Sequence, residues 1–213
     1  MDITRKTPCR LDFVFAASAP VVVILRRGPS RRVRMVVWHT KTDHFVDGEW
    51  WHGRIYADKC GLSPDGQLFV YFGYQWAPRY VPEGFFAFTA VSRPPMFKPM
   101  ALWPADSTWG GGGCFADNGR LSLNYGEGAM PDAHPLFRPQ GFQVQAYPGM
   151  YCSPAPDAAF RFNPDEYPGA EWVGKDHQGR LVFYRAGILY RLLSNKEVLV
   201  RDFNPDVPPP IAA

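Results

Sequence analysis

The chain has 213 residues, 46% of them apolar and 20% charged, with a formal net charge of +3. That length and apolar content suit one buried core and exclude an intrinsically disordered chain, while 20 glycines and 22 prolines without a repeating triplet exclude a collagen-like fibre and interrupt long helices. With 15% aromatic residues, the balance points to an all-β domain.

The charge is uneven along the chain. Residues 1–34 hold eight basic and two acidic side chains, a net of +6, so the remainder, 15 against 18, is net −3. Arg5, Lys6 and Arg10 precede an apolar segment from Leu11 to Leu25. Asp12 and Pro20 interrupt that segment and it is too short to cross a bilayer, so it predicts two strands, Leu11 to Ala17 and Val21 to Leu25, and not a signal or an anchor. Arg26, Arg27, Arg31, Arg32 and Arg34 then flank Gly28-Pro29-Ser30, a turn that leads into a strand through Met35-Val36-Val37-Trp38. A hairpin here gathers five guanidiniums at one tip, either as solvated charge or as a contact for phosphate or an acidic partner.

Between His39 and Tyr56 the nearest approach to a ligand cluster is His39, Asp43, His44, Asp47, Glu49 and His52. None of these stands at a recognised metal-ligand spacing, so no metal is expected. A turn is predicted at Val46-Asp47-Gly48, followed by a strand in which Trp50 and Trp51 face opposite ways, one into the core and the other toward a rim or pocket.

Cys60-Gly61-Leu62-Ser63-Pro64-Asp65-Gly66-Gln67-Leu68-Phe69-Val70-Tyr71-Phe72 carries the clearest β signal. Pro64 presets a turn, Asp65 can bond its own backbone, Gly66 takes the left-handed conformation, and Leu68, Val70 and Phe72 then recur with a period of two. The pattern returns at 114–125 and 173–183, each copy with a polar turn closed by glycine, then Gln or Arg, then Leu. The turn glycines 66, 119 and 179 stand 53 (119 − 66) and 60 (179 − 119) residues apart, the range of propeller blades with lengthened loops. Ser63-Pro64-Asp65-Gly66 before a Leu-rich strand resembles the SPDG repeat of TolB-type, WD40-like β-propellers. The resemblance covers a short segment of each copy, and the second and third copies lack the Ser-Pro pair. It implies a radial array of four-stranded sheets serving as a binding platform, and it carries over no catalytic residue.

Further along, a proline-rich connection at 76–84 precedes a strand from Phe85 to Val91, and prolines 94, 95 and 99 separate it from Met100-Ala101-Leu102-Trp103. Pro104 to Gly113 ends in four glycines with no Lys-Ser or Lys-Thr and no following helix, which excludes a phosphate-cradling loop. Trp103, Asp106 and Trp109 beside those glycines offer stacking surface with one carboxylate, and the alternative use of the glycines is close backbone packing. Residues 126–172 form a loop-rich insertion in which 143–147 alternate and 159–162 suggest a strand. A complete four-stranded unit is expected from Glu171 to Phe203, with a helix over 188–203 as the competing reading.

Cys9, Cys60, Cys114 and Cys152 are far apart and form no Cys-x-x-Cys pair, the usage of reduced, structural thiols in a cytoplasmic protein. The expected organisation is one all-β domain over 1–203 with an exposed tail at 204–213. Its fold is read as a small or incomplete β-propeller of about four blades, with an antiparallel β-sandwich as the alternative. The expected function is a protein-interaction module without cofactor, metal, catalytic residue or membrane contact. The alternatives are an enzyme acting on a carbohydrate or small molecule near the Trp- and Gly-rich loop, and a binder of nucleic acid or an acidic partner through the arginine hairpin. Candidate binding residues are Arg26, Arg27, Arg31, Arg32, Arg34, Trp51, Trp103, Asp106 and Trp109.

Overall fold

A computed structural model describes residues 8–28, 31–75, 85–125, 129–147 and 167–210. The uninterrupted apolar run Val21 to Leu25 has no polar alternation, because the strand that contains it is covered on both faces: Val23 and Leu25 pack to one side, Val22 and Ile24 to the other. This is β2 (Val21–Arg27), the second strand of an antiparallel meander with β1 (Arg10–Phe15), β3 (Arg32–His39) and β4 (His44–His52), which together make sheet I.

Sheet II begins with a broken strand. β5 (Arg54–Ile55) and β6 (Gly61–Leu62) both pair with the same side of β7 (Phe69–Tyr74), and the intervening 3-10 turn Ala57–Lys59 bulges out between them. β8 (Ala87–Ser92) and β9 (Ala101–Ala105) complete the meander. The outer edge of β9 is covered, since the Leu102 amide donates to the Phe137 carbonyl and the His134 amide to the Leu102 carbonyl. Sheet III consists of β10 (Gly113–Asp117), β11 (Arg120–Leu123) and β12 (Gln143–Ala146), the last running parallel to β11 after a long connection. Sheet IV is a four-stranded meander of β13 (Trp172–Lys175), β14 (Leu181–Arg185), β15 (Ile188–Leu193) and β16 (Lys196–Asp202). The last two strands occupy the stretch where a helix was the competing expectation; Gly187, with its positive φ, and Ser194-Asn195 turn the chain back there.

Three apolar layers hold the sheets together. Leu11, Ile24, Val36 and Trp38 of sheet I meet Val182, Tyr184 and Leu189 of sheet IV together with Phe203 just beyond β16. The opposite face of sheet I, with Val23, Leu25, Met35 and Val37, meets Phe69, Tyr71, Phe88 and Ala90 of sheet II. The far face of sheet II, with Val70, Phe72, Val91 and Trp103, meets Leu121 and Leu123 of sheet III. The packing order is therefore IV, I, II, III.

The three glycine turns lie in three different sheets, each in an antiparallel hairpin: β6–β7, β10–β11 and β13–β14. Their asparagine and aspartate chemistry differs in detail but follows one logic. Ser63 Oγ accepts the Gln67 and Leu68 amides, Asp117 Oδ1 accepts the Gly119 amide, and Asp176 Oδ1 accepts the Gln178 and Arg180 amides. The turns also bond to neighbouring sheets. The His177 ring bonds the Ala16 carbonyl through Nε2, the Ser18 and Ala19 amides donate to the Pro64 carbonyl, and the Asp65 amide donates to Asn118 Oδ1.

One expectation changes. The turn predicted at Val46-Asp47-Gly48 is a bulge inside β4: Val36 pairs with Asp47 and Arg34 with Trp50, so two residues, Gly48 and Glu49, oppose Met35 alone. The real reversal lies at Thr40 to Asp43, where Asp43 takes a positive φ of 55°. The tail is exposed at Pro205, Val207, Pro209 and Pro210 and is also bonded to the body. Asp206 pairs with Arg34 and Arg201, Asn204 accepts the Cys9 amide, and the Pro209 carbonyl accepts Arg32 Nη1. The proline connection at 76–84 and the strand expected at 159–162 lie outside the described residues, as does Cys152. Among the described residues no helix is long and apolar enough to cross a membrane.

Candidate anion-binding cleft

β2 ends in two arginines whose side chains point to opposite faces, and their environments separate accordingly. Arg26 is only 4% exposed. Its guanidinium donates to the carbonyls of Phe203 and Gly28 and lies 5.2 Å from the centre of the Trp50 ring. Arg34, directly across from Arg26 in the sheet, lies 5.8 Å from the same ring and pairs with Asp206 and Asp47 at 3.3 and 3.7 Å. These two guanidiniums are therefore committed to the seam between sheets I and IV, and they do not belong to the exposed tip that the sequence suggested.

Arg27, Arg31 and Arg32 behave differently. They line a cleft of about 640 Å³ together with Arg54, Tyr56 and Tyr74. Arg31, Arg32 and Val33 at the start of β3 form one wall, with Arg31 held at φ 55° and its carbonyl accepting the Gly53 amide at 2.8 Å. That bond ties the turn to the start of β5, so Arg54 and Tyr56 form the second wall. Arg54 rests over the Tyr56 ring at 4.6 Å, a contact that orients the guanidinium without neutralising it. Arg27 has a counter-ion, Asp12, at 3.2 Å. Burial pushes the Asp12 carboxyl above its usual range, with Arg27 and Arg10 opposing that shift. Among the described residues Arg31, Arg32 and Arg54 make no ion pair, and no carboxylate lines the cleft.

Thr108 completes the rim, and its position is set by a residue that sequence reasoning passed over. Lys59 sits in the bulge between β5 and β6, nearly buried, with Nζ donating to the carbonyls of Thr108, Trp109 and Gly110 at 2.6, 3.3 and 2.8 Å. The ammonium also lies over Phe72 and Tyr56, at 4.8 and 5.6 Å. Desolvation lowers its pKa, and nearby Asp58 partly offsets this. Three carbonyls from one loop around one ammonium fix the glycine-rich stretch against the cleft, so the arginine turn and the Trp- and Gly-rich loop, which the sequence offers as separate candidates, meet here.

The other candidates do not converge. Trp103 is 2% exposed and fills the layer between sheets II and III. Trp51 packs edge-on against Phe88 and beside Phe97 in the layer between sheets I and II, while its neighbour Trp50 takes the arginine-covered position on the other face. Trp109 is 83% exposed. Asp106 lines a second, more open cleft of about 990 Å³ with Phe85, Asp132, His134 and Arg138. There the charges are mixed and the His134 ring is engaged, Nδ1 accepting the Leu136 amide at 3.2 Å. Among the described residues no group of three or more His, Cys, Asp or Glu side chains is placed to hold a metal ion.

Arg54, Tyr56, Tyr74 and Lys59 were missed because they sit far from the arginine cluster in sequence and are brought to it by strand pairing, Arg32 opposite His52, and by the bond of Gly53 to Arg31. The sole local signal was alternation in Arg54-Ile55-Tyr56, with Ile55 buried and its two neighbours facing out. No family model, curated protein or solved structure matches the chain.

Proposed function

We propose that the chain is a binding module built as a four-bladed, propeller-like array, and that its partner carries acidic groups that enter the arginine cleft. The observation that carries this reading is the convergence of Arg31, Arg32 and Arg54 on one concavity where, among the described residues, they make no ion pair and no carboxylate joins the lining. Unpaired guanidiniums held close together repel one another, and an anion relieves that repulsion while taking bidentate hydrogen bonds. A bounded cleft favours the acidic side chains of a protein over a continuous nucleic-acid backbone, which is better tracked by an open stripe of charge.

The propeller-like arrangement is supported by the packing order of the sheets and by the chain of bonds that links the first-hairpin turns along one end: His177 to Ala16, Pro64 to Ser18 and Ala19, and Asp65 to Asn118. The thiols of Cys9 and Cys60, which form no disulfide, suit a reducing compartment.

The test compares a fluorescent Glu-rich peptide with an oligonucleotide of equal charge, each titrated at stepped salt against the wild type and an Arg31→Ser, Arg32→Ser, Arg54→Ser variant. Peptide binding that weakens about tenfold or more in the variant is the expected result. Equal binding by both proteins overturns the reading. Tighter oligonucleotide binding with a steep salt slope moves the function to nucleic acid.

A further inference from the structure

We infer that the acidic group taken by the arginine cleft is a phosphate monoester, a conclusion that rests on the anionic-partner reading and narrows it to one chemistry. The first argument is a count of donors against acceptors. Among the described residues Arg31, Arg32 and Arg54 have no ion pair; Arg32 spends one Nη1 N–H on the Pro209 carbonyl but keeps its Nε–Nη2 fork, so the three guanidiniums still offer six donors in fork geometry. A carboxylate has two oxygens with about four lone-pair sites, so it leaves at least one fork unused. The three terminal oxygens of a phosphate monoester can accept from all three forks.

Charge gives the second argument. Among the described residues Arg27, held by Asp12, is the only lining arginine with a carboxylate partner, which leaves the positive charges of Arg31, Arg32 and Arg54 facing one space. A phosphate monoester brings roughly −1.5 to −2 at neutral pH, whereas a carboxylate or a sulfate monoester brings one negative charge. The guanidiniums also come from two directions, Arg31 and Arg32 from the start of β3 in sheet I and Arg54 from β5 of sheet II, which suits a tetrahedral group better than a planar one.

The third argument is room. A cleft of about 640 Å³ is far larger than one oxyanion, and the rest of its wall includes the rings of Tyr56 and Tyr74. Such a wall accepts the organic body that carries the phosphate, so the ligand is an ester and not the inorganic ion. Arg54 is already stacked on Tyr56, so part of the cost of ordering its long side chain is met before the ligand arrives.

The experiment titrates the full chain at neutral pH and moderate salt with phenyl phosphate, phenyl sulfate and benzoate, and with a phosphotyrosine peptide beside its unphosphorylated form. Wild type is compared with Arg54→Gln, Arg54→Lys and an Arg31→Gln, Arg32→Gln variant. Because the three arginines make no ion pair among the described residues, and Arg32 loses only an exposed bond to the Pro209 carbonyl, circular dichroism and melting are expected to stay close to the wild type, which separates lost binding from lost folding. Phenyl phosphate is expected to bind about tenfold or more tighter than the sulfate and the benzoate. Arg54→Lys is expected to lose most of that preference, since it keeps the charge and loses the fork. A phosphopeptide much tighter than phenyl phosphate identifies a phosphorylated protein as the source, and equal affinities identify a free phosphate ester. If all three small anions bind alike and all weaken alike in the variants, the anionic cleft stands and the phosphate inference falls. If neither these probes nor the Glu-rich peptide depends on the arginines, both readings fall.

Discussion

Gly112 stands at φ +77°, and a Cβ built on it would overlap the carbonyl oxygen of Lys59. Two separate costs follow, a left-handed backbone at roughly 1–2 kcal/mol for a residue with a side chain, and displacement of the bulge that carries Lys59. Gly179 is a matched control, with φ +73° but nothing within 4 Å of the position of its Cβ. Gly112→Ala is therefore expected to destabilise by more than about 2 kcal/mol, and Gly179→Ala by about the backbone cost alone. Denaturant titration of the two variants measures the difference, and equal losses would show that crowding at Gly112 is relieved at no cost. Close packing of the glycine stretch was legible in the sequence as one of two uses of four consecutive glycines. Sequence could not separate Arg26 from Arg31, or Trp103 from Trp109, because residue type is shared within each pair and only the sheet geometry decides which member is buried.

At the scale of elements, what was readable followed strand periodicity and turn chemistry. The Leu68, Val70, Phe72 alternation, the glycine turns and the doubly buried run of β2 each specify local structure with short-range information, and each of these segments is a strand or a turn. The bulge in β4 was not readable, since Asp47-Gly48 has the residues of a turn and only pairing with β3 keeps the strand running. Ion pairs between distant elements were invisible for the same reason. Arg191 of β15 grips Asp43 of the β3–β4 turn through two bonds of 2.6 and 2.7 Å and reaches the fully buried Asp176 at 3.4 Å. Arg180 pairs with Asp176 at 2.7 Å and donates to the Thr40 carbonyl.

The hydrogen bond from Arg191 lowers the pKa of Asp43, against some desolvation. A depressed carboxylate contributes stability that is present above its unfolded value near 3.9 and is lost as the pH falls through the folded value, so the effect lies below about pH 4. Asp12 acts in the opposite sense, because its raised pKa means that protonation relieves the burial of its charge. Asp43→Asn keeps a residue type that tolerates positive φ and removes the titrating charge. It is expected to be less stable than wild type at neutral pH and to show a shallower loss of stability as the pH falls below about 4. Parallel pH–stability curves for the two proteins would assign the acid sensitivity to another group.

Across the whole molecule, the three layers between sheets are made differently. The layers between I and II and between II and III consist largely of apolar side chains from strand interiors, including Phe69, Phe72, Tyr71 and Trp103. The seam between I and IV adds charge to its apolar layer, through the Asp43, Arg180, Arg191 group and through a ring in which Arg34 and Arg201 share Asp47 and Asp206. One member of that ring, Asp206, belongs to the tail, and Asn204 beside it accepts the Cys9 amide and donates to the Ala186 carbonyl. The tail thus fastens the beginning of β1 to the β14–β15 turn and closes two carboxylate contacts over the seam.

Removing residues 204–213 leaves Arg34 and Arg201 sharing Asp47 alone and leaves the Cys9 amide without its acceptor, while every contact between sheets I and II and between II and III stays in place. Local stability follows local packing, so the loss is expected to be confined to one side of the array. In native-state hydrogen exchange the truncated chain should lose protection in β1 and β16, while β7 and β8, central in sheet II with most residues fully buried, keep theirs. A uniform loss over all four sheets would mean that the array opens as one cooperative unit. Unchanged protection in β1 and β16 would mean that the apolar layer of Ile24, Trp38, Tyr184 and Phe203 holds the seam without help from the tail.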